Sequence, residues 1–160
     1  MKNLNNLTVV IVTYKTTEKI ILDCLNSISP NVKVIIIENS KTFIHEKLVS
    51  SNFANVEVNC SGSNLGYGGG NKYGLKLVKT NNALILNPDV ICNKDFFDNI
   101  VHVMNETNNF ALIGCQNEND KIFMPAGFFD KNKNIKFKMN FKTNNIESLS
   151  KVDWSIVFLS

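Results

Sequence analysis

The chain contains no arginine: its 17 basic residues are all lysines, and with 14 acidic residues they leave a net charge of +3. Proteins that bind nucleic acid usually rely on arginine for bidentate contacts with phosphate and guanine. The composition therefore argues against a nucleic-acid partner. With 160 residues, 44% of them hydrophobic, the chain is typical of one globular domain.

Metal-binding cysteine patterns and long apolar runs are also absent. The four cysteines, Cys24, Cys60, Cys92 and Cys115, form no CxxC pair and have no histidine at zinc spacing, so reduced structural thiols are expected. No apolar run reaches the roughly 18 residues of a membrane helix. The amino terminus, MKNLNNL, lacks the apolar core of a signal peptide. These absences predict a cytoplasmic protein.

A lysine-rich segment covers residues 131–142 and is interleaved with Phe137 and Phe141. Such a segment is typical of a solvated hairpin, or of a peripheral contact with an anionic membrane surface. The membrane alternative would place the protein at the inner face of the membrane.

Apolar, β-branched segments alternate with helical patterns along the first 115 residues. This alternation predicts an α/β fold with a Rossmann-like, mostly parallel sheet covered by helices on both faces. Beyond residue 115 the pattern becomes hairpin-like. The predicted strands are residues 7–14, 32–39, 56–59, 83–86 and 110–115, and the predicted helices are residues 16–29, 42–52, 73–79 and a segment after Asn93.

Polar residues follow the predicted strands. In open α/β sheets ligands bind at the carboxyl ends of the strands, so these residues are expected to share one edge. They are Thr13 and Tyr14 at the end of the first strand, Glu38, Asn39 and Ser40 at the end of the second, Asn64 to Asn71 after the third, and Asn87 and Asp89 at the end of the fourth.

The segment NLGYGGGNKYG, Asn64 to Gly74, is rich in glycine. Glycines at positions 66, 68, 69 and 70 allow positive φ and a close approach to a ligand, and a helix starting just after them would offer free N–H groups to an anion. A tight turn without a ligand explains the glycines equally well. No GK[ST] follows and no GxGxxG register fits, which argues against a P-loop and a dehydrogenase.

Two acidic residues end apolar strands. Asp89, in Asn87-Pro88-Asp89, can hold Mg²⁺ or Mn²⁺ if substrate phosphates supply further ligands, although the tripeptide is also a common turn. Glu38 can accept hydrogen bonds from a nucleobase or ribose, or cap the next helix.

Four motifs in order, TVVIVTYKTTEKIILDCLNSI, VIIIENS, NLGYGGGNKYG and LILNPDV, resemble the inverting glycosyltransferases of family two, within them the rhamnosyltransferase-like branch. The resemblance covers about the first 115 residues. It implies a glycosyltransferase A-type fold, a nucleotide-diphosphate sugar donor, a divalent cation, and a saccharide or lipid-linked acceptor. Residues 1–115 would form the nucleotide-sugar-binding core, and residues 116–160 the incomplete start of the acceptor side of the same domain.

The resemblance also implies roles for individual residues. Thr13 and Tyr14 would line the base pocket, and Glu38 would contact the base or ribose. Asp89 would bind the metal. The remaining donor-site residues, packed around the nucleotide and sugar, would be Asn64, Gly66, Gly68, Gly69, Gly70, Asn71 and Asn87.

The sequence departs from the family pattern at three places. The metal motif opens with Asn87, and the second strand ends in ENSK where the family more often shows Asp-Asn-Gly-Ser. The segment Val152 to Ser160 resembles the family strand that bears Asp-Trp, but the Glu-Asp stretch that carries the general base in relatives does not follow. We therefore expect the donor-binding part of a transferase of rhamnose or a similar sugar, with an inactive nucleotide-sugar-binding module or partner subunit as the alternative.

Overall fold

The computed structural model describes residues 3–106 and, as backbone only, four later strands at residues 112–114, 127–129, 135–137 and 157–159. The predicted Asp-Trp segment at 153–154 and the lysine-rich segment lie largely outside the described residues. The helices are the 3₁₀ turn Leu4–Asn6, α1 Glu18–Ser27, α2 Glu46–Asn52, α3 Gly66–Leu77 and α4 Phe96–Glu106. The strands are β1 Leu7–Thr13, β2 Lys33–Glu38, β3 Val56–Cys60, β4 Asn82–Leu86, β5 Leu112–Gly114, β6 Gly127–Phe129, β7 Ile135–Phe137 and β8 Val157–Leu159.

Six of the described strands form one sheet, in the order β3-β2-β1-β4-β8-β5. The four strands from β3 to β4 are mutually parallel, and β8 lies antiparallel between β4 and β5. The strands β6 and β7 form a separate antiparallel pair. This confirms the predicted mostly parallel α/β sheet. The domain division at residue 115 stays a prediction.

The core lies on both faces of the sheet, because every residue of β1 and β4 is buried. Alternate residues of β1 point to opposite faces. Val9 and Ile11 join the larger cluster, which includes residues of α1, α2 and α4, whereas Val12 packs with Tyr73 and Leu77 of α3. Helix α3 therefore covers one face and the other three helices cover the opposite face.

Two predicted helices begin four or more residues away from their predicted starts. Helix α2 begins at Glu46 rather than at residue 42, because residues 40–45 form a bend in which only Phe43 is buried. Helix α3 begins at Gly66 rather than at Tyr73, so the glycines at positions 66, 68, 69 and 70 lie inside the helix. In the described part of the chain, no helix has both the length and the hydropathy needed to cross a bilayer.

Candidate functional site

The parallel strands β1 to β4 end at the same edge of the sheet, which we call the carboxyl edge. All eleven predicted site residues lie at the strand ends of this edge or in the α3 segment that follows β3. Their roles in binding stay predictions, but their placement in one region of the molecule follows from the topology. The sections of this edge differ in burial and in hydrogen bonding.

The first section of the edge is a buried pair at the ends of β1 and β2. Thr13 and Glu38 are register neighbours, and their side chains are 0% and 3% exposed. The Thr13 hydroxyl donates a hydrogen bond of 2.6 Å to Oε2 of Glu38. A buried carboxylate is costly without such a donor, so Thr13 holds Glu38 in place. Glu38 ends its strand and does not cap α2, which begins eight residues later at Glu46.

An aromatic ring and a positive charge follow β1 directly. Tyr14 is 47% exposed, and the Lys15 ammonium lies 5.3 Å from the centre of its ring. Lys15 has a positive φ of 52°, a backbone conformation that is uncommon outside glycine. The turn after β1 therefore presents an open ring and a cation at the carboxyl edge.

The glycine segment is helical, so the predicted loop before a helix is wrong. Helix α3 includes the glycines at 66, 68, 69 and 70, and of these only Gly66, at φ 70°, has a positive φ. The side chain of Asn64 accepts a hydrogen bond of 2.9 Å from the Gly66 N–H. The glycines after the first therefore need an explanation other than backbone freedom.

Two of these glycines bring α3 close to the sheet. A Cβ on Gly70 would lie 2.7 Å from Cγ1 of Val12, and a Cβ on Gly74 would lie 2.5 Å from Cγ1 of Val10. Gly70 and Gly74 therefore allow α3 to pack tightly on the sheet. A Cβ on Gly68, in contrast, would meet nothing within 4 Å. Gly70 and Gly74 face the sheet, whereas Gly68 faces open space where a ligand can approach.

Two buried amide oxygens near the first half of α3 have no hydrogen-bond partner among the described residues. They belong to Asn39 and Asn71, which are 2% and 6% exposed. The Asn39 amide nitrogen donates to the Gly66 carbonyl at 3.0 Å, so its oxygen is the free end. An unsatisfied buried acceptor costs about 1–3 kcal/mol unless water or a ligand hydroxyl meets it.

The turn after β4 carries the acidic member of the site. Asp89 is exposed, and within the described residues its carboxylate accepts no hydrogen bond and forms no ion pair. The preceding Asn87 accepts a hydrogen bond of 2.6 Å on its side-chain oxygen from the Tyr67 hydroxyl of α3. The structure thus joins the glycine segment to the Asn87-Pro88-Asp89 turn across the carboxyl edge.

Tyr67 and a buried thiol are electrostatically coupled to Asp89. Burial raises the pKa of the Tyr67 hydroxyl, a hydrogen bond with the Asn71 side chain lowers it, and the negative charge of Asp89 raises it. Burial, followed by the effects of Cys92 and Asp89, raises the pKa of the Cys24 thiol to about 12. Both groups therefore stay protonated at neutral pH and act as hydrogen-bond donors.

Helix α1 holds the same turn from the other side. The Cys24 thiol donates to the Asn87 carbonyl across 3.8 Å, and the Ser27 hydroxyl accepts from the Cys92 N–H at 3.0 Å. The pKa of the Cys92 thiol is raised to about 12, because the effect of burial outweighs the opposing effect of its hydrogen bond with Ser27. The described cysteines are free thiols, as predicted, and two of them pack under the acidic turn.

The residues at the edge fit a divalent cation only together with a ligand. Among the described residues, no three His, Cys, Asp or Glu side chains cluster as a metal site. Mg²⁺ is usually held by one or two carboxylates plus substrate phosphates. The unpaired carboxylate of Asp89 fits that arrangement, and the neighbouring Asn87 oxygen already accepts from Tyr67.

The sequence places Asn39 and Tyr67 at this edge, as part of the polar end of the second strand and of the segment 64–71, but it predicted no binding role for either. Tyr67 lies between predicted site glycines, and its position in the first turn of a helix would have indicated a side chain at the edge. Asn39 directly follows Glu38 at the end of a buried strand, where an amide has to find partners. The signal for Tyr67 depends on knowing where α3 begins, whereas the signal for Asn39 depends only on the end of β2.

Comparison with known proteins places this arrangement in a family. Residues 8–153 match the family described as Glycosyl transferase family 2. No curated protein matches the chain. Among solved structures, TarS residues 1–349 from S. aureus has 21% sequence identity and a TM-score of 0.58 over 73% of this chain.

Two further solved structures were determined with ligands. TarS 1–349 in complex with UDP shares 19% identity, with a TM-score of 0.60 over 74% of this chain. The mannosyltransferase PcManGT from Pyrobaculum calidifontis, in complex with GDP-Man and Mn²⁺, shares 12% identity, with a TM-score of 0.58 over 71% of this chain. The matches cover 37%, 38% and 36% of those solved chains, so this chain spans little more than a third of their length.

These likenesses confirm the glycosyltransferase A-type fold that the sequence motifs implied. The match to the family covers most of the chain, including all four strands that end at the carboxyl edge. The chain belongs to glycosyl transferase family 2.

Proposed function

We propose that the chain binds a nucleotide-diphosphate sugar at the carboxyl edge and forms the donor-binding part of a glycosyltransferase. The observation that carries this proposal is the 2.6 Å hydrogen bond between Tyr67 and Asn87. It brings the open backbone around Gly68 and the unpaired carboxylate of Asp89 to neighbouring positions. A diphosphate bound between them would meet helix N–H groups on one side and a cation site on the other.

The nucleoside would lie over the ends of β1 and β2. Thr13 donates to only one oxygen of Glu38, which leaves the second oxygen as an acceptor for an N–H of the base or a ribose hydroxyl. The exposed ring of Tyr14 is the surface on which a base would stack. The unpartnered oxygens of Asn39 and Asn71 would accept from hydroxyl groups of the ribose or sugar.

Asp89 would hold a divalent cation, Mg²⁺ or Mn²⁺, together with the donor phosphates. When bound, such a cation stabilises the negative charge of the departing diphosphate. The cation in the GDP-Man complex of the mannosyltransferase supports this assignment. Lys15, which follows β1 on the same edge, would add positive charge near the phosphates.

The reaction would be an inverting transfer of a deoxyhexose such as rhamnose to a saccharide or lipid-linked acceptor. This part of the proposal rests on the motifs that resemble the rhamnosyltransferase-like branch. An inverting transfer needs a carboxylate that deprotonates the acceptor hydroxyl. The protein would act in the cytoplasm, at the inner face of the membrane if its acceptor is lipid-linked.

A second candidate is an inactive nucleotide-sugar-binding module or partner subunit. The observation in its favour is that the two acidic residues at the strand ends have other tasks: Glu38 is buried against Thr13, and Asp89 is the proposed cation ligand. In this candidate the donor binds and is not turned over. Transfer or hydrolysis of labelled sugar by the purified chain separates the two functions.

The test of the proposed site is calorimetric titration with UDP-, dTDP- and GDP-sugars, with and without Mn²⁺. We expect one nucleotide class to bind, with an affinity that Mn²⁺ raises. Asp89→Asn, which keeps the shape and removes the charge, should abolish the rise. The matched control is Asp95→Asn, at an exposed residue just before α4, and it should behave as wild type.

Two results would contradict the proposal. Failure of the wild-type chain to bind any of the three nucleotide classes would remove the donor site itself. Binding with equal affinity in the Asp89→Asn variant, at every Mn²⁺ concentration, would remove only the cation role of Asp89.

A further inference from the structure

We infer that Tyr67 is a positioning residue of the donor site: its hydroxyl fastens the acidic turn to α3 and orients Asn87 so that the amide nitrogen, not the oxygen, is presented to the ligand. The inference rests on the proposed function and deepens it. Tyr67 would hold the turn that carries Asp89, and Asn87 would contact the ligand beside the cation.

The contact joins two separate parts of the chain. Tyr67 is the second residue of α3, and Asn87 is the first residue after β4. Their side-chain oxygens lie 2.6 Å apart, at the short end of O–H···O hydrogen bonds. Helix α3 is itself anchored, because Gly70 and Gly74 have no side chains and its backbone lies close to the sheet there. The hydroxyl therefore ties the turn to a rigid element.

The direction of this hydrogen bond decides which end of Asn87 stays free. A phenol has one proton, and Tyr67 donates it to the oxygen of Asn87. The side chain of Asn71, one helical turn further along α3, is near the Tyr67 hydroxyl and lowers its pKa. The amide nitrogen of Asn87 makes no hydrogen bond with any described residue. It is the end of the amide left for a ligand.

The orientation of Asn87, the first residue of the Asn87-Pro88-Asp89 turn, decides which ligand atoms its side chain can bind. An asparagine that presents its oxygen could serve as a second ligand to a cation. An asparagine that presents its N–H₂ group instead donates to phosphate or sugar oxygens, which are acceptors. The cation would then be held by Asp89 and the donor phosphates, and Asn87 would bind the diphosphate directly.

The backbone of the turn is held independently of Tyr67. On the α1 side, Cys24 contacts the Asn87 carbonyl and Ser27 contacts the Cys92 N–H. Loss of the Tyr67 hydroxyl should therefore loosen the turn without unfolding it. The effect should appear in ligand binding and in local exchange rather than in global stability.

The experiment compares Tyr67→Phe with Tyr73→Phe, a matched control on the same helix. Tyr73 packs on the core cluster beneath α3. The probe is UDP, dTDP or GDP, whichever binds the wild-type chain best, titrated with and without Mn²⁺. Tyr67→Phe should weaken binding in Mn²⁺ by about three- to tenfold, which corresponds to one hydrogen bond. The control should change binding less than twofold, by about the error of the titration.

A double-mutant cycle with Asn87→Ala tests the route of the effect. If Tyr67 acts through Asn87, Tyr67→Phe should have almost no further effect in the Asn87→Ala background. An equal loss in both backgrounds would show that Tyr67 contacts the ligand itself, and would overturn the positioning role. Hydrogen exchange of residues 87–92 without ligand should accelerate in Tyr67→Phe and not in Tyr73→Phe.

The outcomes separate this inference from the proposed function. If the wild-type chain binds a nucleotide and Tyr67→Phe binds it equally well, the inference fails and the function stands. If exchange of the turn is unchanged in Tyr67→Phe, the fastening by Tyr67 is refuted whether or not a nucleotide binds. If the wild-type chain binds no nucleotide, both the function and the ligand-facing role of Asn87 are overturned.

Discussion

The close packing of α3 on the sheet predicts that Gly74→Ala destabilises the protein although alanine is the better helix former. The added Cβ would lie 2.5 Å from Cγ1 of Val10 and 3.1 Å from Cγ1 of Ile37, where ordinary contact begins at 3.4 Å. Val10 is fully buried in β1, and β1 pairs with a strand on each side. The β-branched side chain therefore has no room to move away.

The expected magnitude follows from two opposing effects. Overpacking of this kind costs about 1–3 kcal/mol, and a contact this short belongs near the upper end. Replacing glycine by alanine inside a helix raises the free energy of unfolding by about 1 kcal/mol through the higher helix propensity of alanine. The net loss should be about 2 kcal/mol, which lowers the melting temperature by roughly 4–8 °C for a chain of this size.

The assay is urea and thermal denaturation followed by circular dichroism, with Gly68→Ala as the matched control. Gly68 lies on the same helix, and its added Cβ would meet nothing within 4 Å. The control should be unchanged, or more stable by at most about 1 kcal/mol. If Gly74→Ala proves as stable as Gly68→Ala, then α3 does not approach β1 as described, and the anchoring of Tyr67 loses its basis.

Two further predictions concern buried groups. Thr13→Val removes the donor that holds Glu38 and should lower the free energy of unfolding by about 1–3 kcal/mol, measured by urea denaturation at neutral pH; an unchanged midpoint would contradict the bond. In the folded protein the pKa values of Cys24 and Cys92 are raised to about 12, from 9.0 for an ordinary thiol. The two buried thiols therefore contribute their full stabilisation at pH values below 9, where the thiols of the unfolded chain are protonated as well. Above that pH it should fall by about 1.4 kcal/mol per pH unit for each thiol, because only the unfolded chain loses the proton. The double variant Cys24→Ala and Cys92→Ala should show a flatter alkaline profile, and an equally steep profile would contradict the assignment.

The strands could be predicted because burial on both faces leaves a direct mark on the sequence. β1, β2 and β4 read as nearly continuous β-branched and aliphatic runs, and the structure buries almost every residue in them. The edge strand β3 alternates less clearly and is only half-buried. Apolar content therefore predicted the position of each parallel strand and, through the topology, the edge at which polar residues gather.

The start of α3 could not be predicted from local propensity. Four of its first five residues are glycine, the poorest helix former after proline, so the local sequence favours a turn. In the structure α3 packs closely against Val10 and Val12 of the sheet, and this contact leaves no space for side chains at Gly70 and Gly74. Packing across the fold outweighed the local preference at this point.

The sequence by itself determined the family, because its four motifs follow one another in the family's order. It also determined the strand ends, because each apolar run stops where polar residues begin. The tertiary structure alone decided which side chains meet at the carboxyl edge. Tyr67 and Asn87 are 20 positions apart, and neither shows in the sequence that it has a partner. A hydrogen bond between the first turn of a helix and a loop depends on where α3 and β4 bring the two residues, and that geometry exists only in the folded chain.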